Sequence, residues 1–134
     1  MIDRVHHIAF VVENLDTRAE WFESVLQLEP DYCEVIEGEF NLEVLVYNLD
    51  DVLIELITPT TDSGWVYDYL EKNGEGFFHI AFGVEDIESV VRQIRDRDVD
   101  VDDPVDGVDW LVATLDQEET FVPMQVAEDP DESI

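Results

Sequence analysis

Two histidines stand at matching points of a repeated tetrapeptide: His7-Ile8-Ala9-Phe10 returns 72 residues later as His79-Ile80-Ala81-Phe82. The likeness continues at the same offset, with Val12-Glu13-Asn14-Leu15 answered by Val84-Glu85-Asp86-Ile87. The chain has one other histidine, His6, so two at equivalent positions are hard to assign to packing. A second pair follows at an offset of 70 residues, Ile54-Glu55-Leu56 and Met124-Gln125-Val126. Glu55 is flanked by Val52, Leu53, Ile54, Leu56 and Ile57. An ionised carboxylate in such a run is costly unless something pairs with it. The alternative is an edge strand whose Glu55 faces water; the repeat favours pairing. Two imidazoles, a carboxylate and an amide oxygen form a mixed N/O donor set suited to one borderline divalent ion, Co, Mn, Ni, Zn or Fe.

Strands and helices must bring these groups together, and the repeat shows how. In the first copy, Arg4 to Val12 reads as a strand, followed by a helix from about Asp16 to Leu26 with Asn14, Asp16 or Thr17 available as its cap. Strand-like runs follow near Glu29–Ile36, Asn41–Leu49 and Val52–Thr58, with Asp50-Asp51 as a turn. Trp65 to Lys72 reads as a short helix ending at Asn73-Gly74. The second copy repeats the order: a strand from Gly76 to Val84, a helix from about Ile87 to Arg97, and strands near Val99–Val101, Val108–Leu115 and Phe121–Ala127.

Side chains alternate across a strand. His7, Ala9 and Val11 therefore share one face, and His79, Ala81 and Gly83 share another. The opposite faces, Ile8-Phe10-Val12 and Ile80-Phe82-Val84, are bulky and suit packing under a helix. His6 falls on the helix-facing side, corresponds to Phe78, and is given no role. The expected fold class is α+β: two tandem βαβββ modules forming a curled eight-stranded mixed sheet around a metal-binding cup. Module one covers about 1–62, module two about 73–128, and 129–134 is an acidic, solvated tail.

Composition narrows the function. Thirty-five Asp and Glu against six Lys and Arg give 134 residues a formal charge of −29. Such a surface repels nucleic acid and anionic membranes. The 46% hydrophobic fraction is enough for a packed core despite this charge. At ~1 M salt the screening length falls to roughly 3 Å and self-repulsion fades. The charge, with Lys72 the sole lysine, is read as adaptation to a high-salt cytoplasm. Cys33, the single cysteine, is expected to be a small buried residue rather than a nucleophile. No apolar run approaches the ~20 residues needed to span a bilayer, so the expected location is cytoplasmic.

The repeated His-Ile-Ala-Phe, the Ile54-Glu55-Leu56 strand and the segment Glu71-Lys72-Asn73-Gly74-Glu75-Gly76-Phe77-Phe78-His79-Ile80-Ala81-Phe82 resemble methylmalonyl-CoA epimerases, within the vicinal-oxygen-chelate (glyoxalase/bleomycin resistance/dioxygenase) superfamily. Carried over by position, the resemblance implies metal ligands at His7, Glu55, His79 and Gln125, and an acid/base glutamate at Glu39, with Glu37 close by. It also implies a small-molecule substrate such as an acyl-CoA, and a homodimer. Two features depart from the epimerase pattern. Gln125 stands where a glutamate is usual and cannot act as a base, and Asp106-Gly107-Val108-Asp109-Trp110 replaces a His-Gly motif. The reading is a metal-dependent isomerase or epimerase acting α to a carbonyl or thioester. Its rivals are a glyoxalase-type lyase, a non-haem iron dioxygenase, and a dimeric small-molecule-binding resistance protein in which Trp65, Tyr67, Trp110 and Phe121 line a groove.

Overall fold

A computed structural model describes residues 1–38, 40–116, 118 and 120–130. The element order is β1 (Arg4–Val11), α1 (Leu15–Ser24), β2 (Pro30–Ile36), β3 (Leu42–Asn48), β4 (Leu53–Pro59), α2 (Trp65–Asn73), β5 (Gly76–Gly83), α3 (Ile87–Arg95), β6 (Val105–Asp106), β7 (Leu111–Thr114) and β8 (Met124–Glu128). The fold is α+β, with all eight strands in one sheet in the order β2-β3-β4-β1-β5-β8-β7-β6. The chain divides into two compact units, His7–Phe78 and Met1–His6 together with His79–Ile134.

In the first unit α1 begins where its capping residue dictates. Asn14 is extended and its side-chain oxygen accepts from the Thr17 backbone N–H at 3.0 Å, satisfying a donor that the first turn leaves orphaned. Leu15 and Ala19 of the helix cluster with Val12, Tyr47 and Leu56, and Phe10 and Phe22 pack against this cluster. Phe22 stacks on Tyr47 at 5.9 Å, and the Tyr47 hydroxyl donates to Glu23 at 2.9 Å. The bulky face of β1 therefore packs under the helix, as the alternation predicts. The turn between β3 and β4 places Asp50 at φ +67°, where the Asn48 side chain accepts from its N–H. Asp tolerates that left-handed conformation better than most residues. Helix α2 ends at Gly74, φ +77°, whose N–H bonds to the Leu70 carbonyl.

The second unit repeats the plan with different packing. Asp86 caps α3 by accepting from Ser89 N–H at 3.1 Å. Ile87, Val90 and Val91 pack on Val84, Val101, Ala113 and Val126. Its outer strands are shorter than expected. Val99–Val101 forms no strand; Val101 makes only an isolated bridge to Leu115, and β6 is the dipeptide Val105-Asp106. Acidic residues and Pro104 crowd this stretch, and proline removes a ladder donor. Asp129 accepts from Arg4, and its Oδ1 lies 2.7 Å from Nε2 of buried His6.

Cys33 corrects an expectation. It is exposed, on terminal strand β2, with its thiol donating to Glu43 at 3.7 Å. Partial desolvation and the Glu43 carboxylate nevertheless push the thiol above its usual range. A strand with one neighbour has no partner side chains on its outer flank to cover it. Among the described residues no helix is long and apolar enough to cross a membrane.

Candidate metal centre

Parallel pairing gives the two inner strand pairs the same register. In the first unit β1 pairs with β4 so that Ala9 faces Glu55. In the second β5 pairs with β8 so that Ala81 faces Gln125. Paired residues project to the same side of a sheet, as do residues two apart on a strand. Glu55 therefore shares a face with His7, and Gln125 shares one with His79. Alanine at both pairing positions keeps those faces open to longer neighbours.

The polar side chains are deeply buried: His7 is 1% exposed, Glu55 2%, His79 4% and Gln125 4%. Strand β4 lies between β3 and β1, so Glu55 is on an interior strand and not on a wetted edge. One ligating atom from each of His7, Glu55 and His79 lies within 4.8 Å of the others. His7 Nε2 is 3.5 Å from Glu55 Oε1. Burial drives both His79 and Glu55 toward their neutral forms: it lowers the His79 imidazole to about 3 and raises the Glu55 carboxyl to about 8. Neutral imidazole is the form that ligates metal. A cation would hold the carboxylate ionised in a site that otherwise penalises its charge. The donor set therefore fits a divalent ion.

Gln125 is fixed from β7. Its Nε2 donates to Thr114 Oγ1 at 3.2 Å, across the antiparallel pair Thr114–Gln125. Reading the strands singly does not reveal this partner; it requires the β7–β8 register. His6, given no role from sequence, packs edge-on against Trp110 with ring centroids 4.7 Å apart and belongs to the core beside Asp129. Trp110 is itself buried, Trp65 rests on Phe78 at 4.8 Å, and Phe121 is 90% exposed. Glu39 lies outside the described residues. The Asn41 side chain bonds both the N–H and the carbonyl of Gly38 at 3.0 Å, and Glu37 is exposed. Among the described residues, carboxylates engage Arg4 (Asp129), Arg18 (Glu75) and Arg95 (Asp103).

The glyoxalase/bleomycin resistance protein/dioxygenase family model matches residues 6–115. The chain belongs to that superfamily. Among superfamily relatives, the uncharacterised protein YqjC of Bacillus subtilis is 30% identical over 102 residues, 76% of this chain and 72% of that protein. The ethylmalonyl-CoA/methylmalonyl-CoA epimerase of Cereibacter sphaeroides is 32% identical over 88 residues, 65% of each chain. A variant of the Streptomyces coelicolor methylmalonyl-CoA epimerase, solved with 2-nitronate-propionyl-CoA, overlays with a TM-score of 0.91 at 26% identity, covering 98% of this chain and all of that one.

Proposed function

We propose that this chain is a metal-dependent isomerase or epimerase acting α to a carbonyl or thioester, with methylmalonyl-CoA or a similar acyl-CoA as substrate. The observation that carries the reading is the buried His7, Glu55 and His79 group, whose ligating atoms approach within 4.8 Å. Gln125, on the same face as His79, is the fourth ligand in this proposal, and Glu39 is the acid/base residue. The likeness to named epimerases supports the reaction class.

A bound divalent ion supplies electrophilic stabilisation to substrate oxygens as the α-proton leaves. Glu39 takes or returns that proton. Epimerisation needs a proton acceptor on one face of the carbon and a donor on the other. An amide does not titrate, so Gln125 serves as ligand alone and the second face is supplied through a one-base route or a water relay. The charge of −29 suits a high-salt cytoplasm, and the protein is proposed to work as a homodimer.

The test is metal content by mass spectrometry, on protein purified in high salt without chelator, beside a His7→Ala/His79→Ala variant. About one ion per chain, lost in the variant, together with exchange of the α-proton of methylmalonyl-CoA in heavy water, is the expected result. Absence of metal from both proteins after incubation with divalent ions would sink it. The two-histidine, one-carboxylate composition also favours a second reading, a non-haem iron dioxygenase. Bound iron with substrate-dependent oxygen consumption would select that alternative.

A further inference from the structure

The two central strand pairs share their register, but the strands flanking them treat the fourth position differently. In the first unit the residue across from Glu55 on β3 is Val46. In the second, the residue across from Gln125 on β7 is Thr114, whose hydroxyl accepts from the amide nitrogen at 3.2 Å. Valine and threonine have nearly the same shape, so the two facing positions differ by one hydroxyl.

That hydroxyl has a chemical consequence for an amide ligand. Gln125 offers one lone-pair-bearing oxygen and one nitrogen that can only donate. A side chain free to rotate about its last bond would present either atom, and the nitrogen cannot ligate a cation. Thr114 accepts from that nitrogen on the β7 side. A hydroxyl can meet either amide atom, so the demand of a cation for oxygen decides the orientation and the threonine anchors the amide in it, with Oε1 left for the face that carries His79. The threonine is itself well held. Its carbonyl accepts from Asp102 N–H at 2.9 Å, Leu115 N–H bonds to Met124 O at 3.0 Å, and its branched Cβ restricts χ1.

We infer that Thr114 is a positioning residue that anchors the Gln125 amide through its nitrogen, leaving the oxygen for the ion, and so adapts the second unit to an amide ligand. This assignment rests on the metal-centre reading above. A ligating oxygen withdraws electron density from its amide, making the N–H a stronger donor, so the Thr114 hydroxyl and the ion reinforce one another through Gln125.

The test compares Co²⁺ binding, by calorimetry and by the visible absorption of the bound ion, in wild type, Thr114→Val, Thr114→Ser and Gln125→Leu with and without Thr114→Val. Thr114→Val installs at β7 the residue that β3 already has. It is expected to weaken Co²⁺ binding about 10-fold. Thr114→Ser, which keeps the hydroxyl, should stay within about twofold of wild type, and Thr114→Val should add nothing once Gln125 is leucine. Equal weakening by serine and valine would mean that packing and not the hydroxyl matters, and would overturn the assignment. So would unchanged affinity in Thr114→Val. A wild-type protein that binds no Co²⁺ would instead overturn the metal centre and the assignment with it, a separate outcome read from the first titration.

Discussion

The two halves of the repeat differ more in their outer strands than in their inner ones. In the first, β2, β3 and β4 each run seven residues, and the core of Val12, Leu15, Ala19, Tyr47 and Leu56 has Phe10 and Phe22 packed against it. In the second, β6, β7 and β8 run two, four and five residues over a core of Val, Ile and Ala. The inner pairs nevertheless keep one register, Ala9 opposite Glu55 and Ala81 opposite Gln125. Outer strands can shorten at a modest cost in packing. A slip in an inner pair would turn its polar side chains to the opposite face, so its register is the more tightly constrained.

Metal binding should separate the halves most sharply. Glu55→Ala is expected to abolish Co²⁺ binding in calorimetry and Gln125→Ala to weaken it about 10-fold, since a carboxylate contributes charge and an amide does not. Equal losses would show that the two positions are chemically interchangeable.

Acidity should distinguish Glu55 from His79 in metal-free protein. The Glu55 carboxyl rises from an ordinary 4.5 to about 8 on folding, so its stabilisation is present below 4.5 and is lost as pH climbs through 8. The His79 imidazole falls from 6.5 to about 3, so its contribution is present above 6.5 and is lost as pH drops toward 3. Urea midpoints in high salt should therefore decline between pH 6.5 and 8 in wild type and stay flatter in Glu55→Gln. The same carboxyl should release a proton when Co²⁺ binds at pH 7, visible as a buffer-dependent heat.

Core truncations test whether the aromatic half is the more tightly packed. Leu56→Ala, across from Phe10, is expected to cost about 3 kcal/mol, and Val126→Ala, across from Phe82, about 2 kcal/mol, by chemical denaturation. The helix caps should behave alike in both halves, with Asn14→Ala and Asp86→Ala each lowering stability by about 1 kcal/mol. Cys33→Ser, on the exposed edge strand, should change stability by less than about 0.5 kcal/mol.

Much of the molecule was legible because the repeat doubles each signal. His7 and His79 stood out by coincidence of position, and Glu55 by its apolar neighbours; the structure brings these three together. The caps Asn14 and Asp86 and the stop at Gly74 act locally and are readable locally. Features that depend on pairing were not legible. Val99–Val101 has strand-forming residues but lacks an adjoining ladder, so tertiary context overrides its propensity. The exposure of Cys33 is not legible either, because it depends on where β2 lies in the sheet order. Thr114 acquires meaning only once β7 is aligned with β8.

The contact of Asp129 with Arg4 and His6 joins residues from opposite ends of the second unit. On a ribosome, Arg4 emerges 125 residues before its partner, a delay of roughly 6 to 25 s at ordinary elongation speeds. Every residue of His7–Phe78 is made within that interval, so this unit can start folding during synthesis, while the start of β1 waits for the strand that completes its surroundings. A chain stalled before Asp129 would hold His6 without its carboxylate partner, which makes the second unit the later of the two to mature.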